Sequence, residues 1–261
     1  MAAYVRTVPR VALTEAVRLG IMAPNPPDRA KAPRQEPHQV EAFTAKQLAA
    51  LFDAAQGTRA KHLVPLAAYA GLRRGELAEL KWEDVDLARG ALTVRRNRTQ
   101  ATHQGITVGE PKSEAGRRTL TLPAPALKSL RRQRERQLAD KKAALATGRT
   151  WRNPEGWVFT TAWGGPLEPN RVSRDYRRLR DRAVLPGTVP FHGLRHTAVS
   201  LQVAAGVPLE VISRRIGHSD FALTANVYGH LLLDAGLTAA ASLDDYLGGQ
   251  KAPENPSREN R

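Results

Sequence analysis

The sequence predicts a mostly helical α+β domain over about residues 41–247, with a small antiparallel sheet towards its N-terminal side. Three observations carry this. Apolar residues recur at helical spacing through most of the chain. Two short stretches, 90–98 and 117–122, instead alternate with period two. At 261 residues and 41% hydrophobic content, the chain has the material for a real core.

Residues 10–22 read as an amphipathic helix, with Val11, Ala12, Ala16 and Leu19 at helical spacing. Five prolines between Pro24 and Pro37 mark residues 24–40 as a linker. A lone helix does not stabilise itself, so residues 1–23 read as the end of a further domain or as a segment that packs elsewhere. From Glu41 the pattern is continuous. Thr44 caps a helix carrying Leu48, Leu51 and Phe52. A second, His62–Ala70, stops at Gly71, and Leu77, Leu80 and Trp82 continue the helical pattern. Strands 90–98 and 117–122 follow, joined by a connection holding Lys112 and Gly116. A long basic helix spans 125–145, and Trp157–Phe159 reads as a short strand. A second basic helix covers about 170–183. Helices are expected over His192–Ala205, Leu209–Ile216, Phe221–Leu233 and Gly236–Leu247, and a disordered tail over 248–261.

Charge narrows the function. Lys and Arg number 40 against 25 Asp and Glu, a net +15 that points to a polyanion, most plainly nucleic acid. Most of these cations are arginines, whose forked guanidinium grips two phosphate oxygens. With no cysteine, disulfides, thiolate catalysis and Cys-type zinc sites are excluded. No apolar run spans a bilayer, and the start lacks a signal core, so a cytoplasmic, nucleoid-associated protein is expected.

Candidate chemistry lies in scattered polar residues. His192 and Arg195 share a helix face, on the shoulder of a stripe formed by Leu194, Ala198, Leu201 and Ala205. Gly217 caps a helix and places His218 on a turn, ten residues before Tyr228. Arg73 follows a Gly-induced turn at a helix start, where anions are favoured. Each has an ordinary alternative. Tyr228 fits a core aromatic, His218 a capping residue, and Arg73 with Glu76 a surface i,i+3 salt bridge.

Taken together these residues resemble a family. Gly71-Leu-Arg73-x-x-Glu76-Leu77, Pro111-Lys112-Ser113, His192-Gly-Leu-Arg195-His196-Thr197, Ile216-Gly-His218-Ser219 and Thr224-x-x-x-Tyr228-x-His230 occur in an order and spacing similar to the tyrosine recombinases, the phage integrase family. The resemblance covers about 41–247. It implies that Arg73, Arg195 and His218 bind the non-bridging oxygens of a DNA phosphodiester. It casts Tyr228 as a nucleophile forming a 3′-phosphotyrosine, His192 as its base and Lys112 as the acid for the departing 5′-oxygen. Glu76 would orient Arg73, with His196 and His230 in support. No metal or other cofactor is implied, since arginines take the place of a metal clamp.

Residues 1–23 then read as the last helix of a core-binding domain. The backbone contacts expected are Arg95, Arg96, Arg98, Arg117 and Arg118 around the strands, and Lys128, Arg131, Arg132, Arg174, Arg177 and Arg178 on the basic helices. The resemblance implies a homotetramer on paired DNA sites, or a monomer when free. Within the family an integrase is expected, with a Xer-type resolvase or a catalytically idle DNA-binding remnant as alternatives. If about six phosphates are contacted, log K for duplex DNA should fall against log salt with a slope of about −5. Fluorescence anisotropy across a salt series measures it, and a slope near zero would remove the electrostatic footprint.

Overall fold

The computed structural model describes residues 2–22, 41–101, 105–111, 114–217 and Tyr228. Contacts divide the chain into two units, Met1–Gln39 and Val40–Arg261. In the first, helix α1 (Ala2–Arg18) starts earlier than its sequence pattern and stops sooner. Pro9 lies inside it rather than before it. Glu15 and Arg18 close a surface ion pair at 2.6 Å, and Val11, Leu19 and Ile21 are exposed. The expected linker and every segment after Gly217 except Tyr228 lie outside the described residues.

The second unit is the mixed domain. Helix α2 (Ala45–Ala54) begins with a capping box, in which the Thr44 hydroxyl accepts from the Gln47 N–H and the Gln47 side chain accepts from the Thr44 N–H. Helix α3 (Leu63–Ala70) is buried almost all round, as befits a central helix. Helix α4 (Arg74–Ala78) is a single short turn, followed by a 3₁₀ turn at Trp82–Asp84 instead of a continued helix.

Strand β1 (Val85–Asp86) pairs antiparallel with β2 (Ala91–Val94), which pairs antiparallel with β5 (Arg118–Thr121). Leu92 faces Leu120 in register, and both are buried. The expected strand 90–98 is divided. Arg95 and Arg96 turn towards Asp84, and beyond them β3 (Asn97–Ala101) and β4 (Gly105–Gly109) form a separate hairpin. Arg98 enters the interior from β3, 7% exposed and paired with Glu79 at 2.5 Å.

Helix α5 (Ala124–Ala146) packs on α3. Its Gln133 and Gln137 amides donate to the carbonyls of Val158 and Trp157. These side-chain donors take acceptors that a neighbouring strand would use. The expected strand Trp157–Phe159 is accordingly only an isolated bridge from Trp157 to Lys81.

Helix α6 (Pro169–Arg182) buries Val172, Tyr176 and Leu179 and turns Arg171, Arg174, Arg177 and Arg178 outwards. Helix α7 (Gly193–Ala204) packs against α3, and α8 (Leu209–Ile216) against α7 and β5. One apolar core joins α2 to α6 and the sheet, and a second, smaller one lies between α7 and α8. Among the described residues no helix is long and apolar enough to cross a membrane.

The Arg98–Glu79 pair ties the hairpin to the domain, and Arg98 also stands over the Trp157 ring at 5.4 Å. Replacing Arg98 by alanine leaves a buried carboxylate uncompensated and should cost about 3–5 kcal/mol in urea unfolding. The double variant Glu79→Leu/Arg98→Met should regain most of it. A loss under about 1 kcal/mol in the single variant would contradict the pair's role.

Candidate active site

The site forms where α3, α7 and α8 bring their ends together. Both α3 and α8 stop at a glycine in the left-handed conformation, Gly71 at φ +62° and Gly217 at φ +66°. Only glycine enters that conformation without cost. Space is short as well: a Cβ on Gly217 would lie 2.6 Å from the Ala115 carbonyl oxygen, and one on Gly71 3.2 Å from Ile216 Cγ2.

Arg195 occupies the gap between these helix ends and is 1% exposed, not on the helix shoulder that its spacing suggested. The other face of α7 is wider than expected, since Thr197 and Val199 are buried while Ala205 is exposed. Arg195 Nη1 donates to the Gly71 carbonyl at 2.8 Å, and Nη2 donates to the Ile216 carbonyl. Terminal helix carbonyls lack helical partners and carry partial negative charge, so a cation suits them. Among the described residues its buried Nε has no hydrogen-bond partner. Burial, together with the Arg73 and Arg118 charges, pushes the Arg195 pKa down to about 9, leaving it charged at neutral pH.

Glu76 organises the arginines. It is 3% exposed and accepts from the Arg73 N–H at 2.9 Å and from Arg73 Nη1 at 3.0 Å. Arg118 clamps both of its oxygens, at 3.1 and 3.0 Å. Burial alone would raise the Glu76 pKa, but the Arg118 hydrogen bonds and charge, the Arg73 N–H and Arg195 outweigh it and hold it below its ordinary 4.5. Three guanidiniums around one carboxylate leave this cluster positive. Arg73 keeps 40% of its side chain open to solvent, the edge from which an anion can approach.

Tyr228 is helical in backbone and 2% exposed, among Val199, Val203, Leu209, Ile212 and Ile216. Its hydroxyl is in close hydrogen-bond contact with His196 Nδ1. Burial pushes its pKa up to about 12, against the opposing Arg195 charge. The ring of His196 meets that of His192 edge-on at 4.9 Å. His192 is exposed, and partial desolvation with the Arg195 and Arg73 charges lowers its pKa.

Of the residues singled out from sequence, the structure thus assembles Arg73, Glu76, His192, Arg195, His196 and Tyr228. Lys112, His218 and His230 lie outside the described residues. Two expected DNA contacts are corrected: Arg98 and Arg118 are buried against Glu79 and Glu76, where they cannot meet a backbone phosphate. Arg96 is largely engaged by Glu83 and Asp84, and Arg95 leans on Asp84 at 3.3 Å. Arg117, Lys128, Arg131, Arg132, Arg174, Arg177 and Arg178 are exposed. Sequence reading missed Arg118 as the partner of Glu76; its place on the buried face of the period-two strand 117–122 was the available signal.

The chain has recognisable relatives among known proteins. The phage integrase family profile matches residues 41–233. The chain is 32% identical to a tyrosine recombinase XerC-like protein of Caldanaerobacter subterraneus over 79% of its own length and 54% of the relative's. It is 35% identical to an integrase of Streptomyces ambofaciens over 78% of its length and 53% of that protein. It therefore spans about half the length of these curated relatives. In fold it is similar to the Tn1549 transposon integrase, solved with a circular intermediate DNA, at TM-score 0.70 and 21% identity, covering 90% of this chain and 76% of that one.

The Glu76 carboxylate makes the cluster acid-sensitive. Its lowered folded pKa contributes stability above the ordinary carboxylate value, and that stability is lost as pH falls through the folded pKa. Urea unfolding free energies should therefore decline more steeply below pH 4.5 in the wild type than in Glu76→Gln. At pH 7 that variant should be less stable by about 3 kcal/mol, with Arg118 left buried beside a neutral amide. Parallel curves at low pH would contradict the assignment.

Proposed function

Because the chain belongs to the phage integrase family, we propose that it is a site-specific DNA recombinase of the integrase kind, which breaks and rejoins double-stranded DNA through a 3′-phosphotyrosine. One observation carries the reading: Arg73 and Arg195, 122 positions apart in the chain, flank one positive cluster beside a buried tyrosine. A phosphodiester is anionic, and in-line attack places further charge on its non-bridging oxygens. Arg73 at the open edge and Arg195, whose Nε has no partner among the described residues, supply donors for them. Tyr228 attacks phosphorus, and Lys112 protonates the departing 5′-oxygen, with His218 as a further donor to the phosphate. The energy of the broken bond stays in the phosphotyrosine, so rejoining needs no ATP, and the arginines do the work of a metal clamp.

Outside the site, the exposed arginines of α6 and the cations Arg117, Lys128, Arg131 and Arg132 supply non-specific backbone attraction. Solved relatives include a lambda integrase tetramer bound to a Holliday junction. A homotetramer on paired sites is the corresponding assembly here, with a monomer in the absence of DNA.

A nicked duplex that traps the cleaved strand tests the reading. The wild type should form a covalent protein–DNA adduct that resists denaturing electrophoresis, and Tyr228→Phe should form none. Arg73→Ala and Arg195→Ala should each slow adduct formation by about 10²–10³. An adduct persisting in Tyr228→Phe would overturn the nucleophile. No adduct from the wild type on host DNA fragments would favour the idle DNA-binding remnant.

A further inference from the structure

We infer that His196, rather than His192, is the catalytic base that accepts the Tyr228 proton. The inference rests on the recombinase reading and deepens it by reassigning one role. Its ground is contact. Among the described residues, the hydrogen-bond partner of the Tyr228 hydroxyl is His196 Nδ1. Among the described residues His192 meets the His196 ring, edge-on at 4.9 Å, and no hydrogen bond joins it to Tyr228. The three side chains thus form a row in which one imidazole separates His192 from the phenol.

Position explains the difference. His192 precedes the first residue of α7 and is exposed at its start. His196 lies one turn further along the helix, towards the apolar pocket where Val199 and Val203 hold the Tyr228 ring. Among the described residues, the charged and titratable groups around the row are His192 and Arg195 on α7, Arg73 and Glu76 at the turn after α3, and Arg118 from β5. Desolvation and the Arg195 and Arg73 charges lower the His192 pKa, and Glu76 opposes them.

The step balances. Tyr228 Oη bonds to phosphorus as the bond from phosphorus to the 5′-oxygen breaks. With its imidazole in the tautomer protonated at Nε2, His196 takes the phenol proton on Nδ1, giving an imidazolium. The 5′-oxygen takes its proton from a separate acid. In rejoining, the 5′-hydroxyl attacks phosphorus and returns its proton to that acid, while His196 restores the proton to Tyr228 Oη. A buried phenol needs such a partner, because free ionisation at pH 7 would supply only about one molecule in 10⁵.

Single-turnover cleavage of a nicked duplex tests this, with adduct loss in Tyr228→Phe establishing the recombinase reading separately. His196→Ala should slow cleavage by about 10²–10⁴ and respond to added imidazole. His196→Gln, which can accept a hydrogen bond but not carry the proton away, should stay slow. The wild-type rate should show an acid limb that His192→Ala retains and His196→Ala loses. Rates for both His196 variants within threefold of wild type, with the limb intact, would overturn the inference. So would a His192→Ala variant that alone loses the limb. Without any DNA, the nitrogen-15 resonance of His196 Nδ1 should show an accepting nitrogen that shifts in Tyr228→Phe. An unchanged resonance would remove the hydrogen bond and the inference with it.

Discussion

A single buried carboxylate holds the positive site together. Glu76 is the shared counter-charge of Arg73 and Arg118, and it lies close enough to Arg195 to moderate that buried cation. Three guanidiniums at close quarters repel one another and are costly to desolvate. The carboxylate offsets part of that repulsion and fixes two of the forks in place by hydrogen bonds. What it leaves uncompensated is positive charge, held ready before any ligand arrives. Pre-set charge of this kind stabilises an anionic transition state without reorganisation at the moment of reaction.

The backbone is built around the same requirement. Arg195 reaches carbonyls at the ends of two helices because both helices stop at left-handed glycines with little room for a side chain. The Phe43 N–H donates to the Thr197 hydroxyl at 3.0 Å, anchoring the entry of the domain to the helix that carries Arg195. Helix α7 therefore serves both cores. Leu194 belongs to the large one, while Val199 and Val203 belong to the small one that receives Tyr228. Arg195 and the pocket of Tyr228 are thus carried by the same helix, close enough for each charge to act on the other.

Most of this was legible from sequence at the level of elements and motifs. Helices α2, α3 and α5 to α8 follow their apolar periods and capping residues, and β2 and β5 their alternation. Less legible was which arginine goes inside. Arg95, Arg96, Arg98, Arg117 and Arg118 look alike in a basic sequence, yet the structure buries Arg98 and Arg118 because Glu79 and Glu76 wait there. Long-range charge pairing leaves no local signature. The β3–β4 hairpin was obscured for the same reason, since the break at Arg95–Arg96 is set by Asp84. Trp157–Phe159 has strand composition, but its carbonyls are taken by glutamines of α5. The motif arginines were legible because spacing and order identified them; their burial and partners were not.

In the proposed reaction Arg195 acts through the negative charge of one phosphate. A nicked target duplex with a methylphosphonate at the scissile position removes that charge while keeping the phosphorus and its leaving group. The cleavage rates of wild type and Arg195→Ala should then converge to within about tenfold, whereas on the native phosphate they differ by about 10²–10³. A deficit that persists undiminished on the neutral substrate would contradict the account, and would make Arg195 a purely structural bridge between two helix ends.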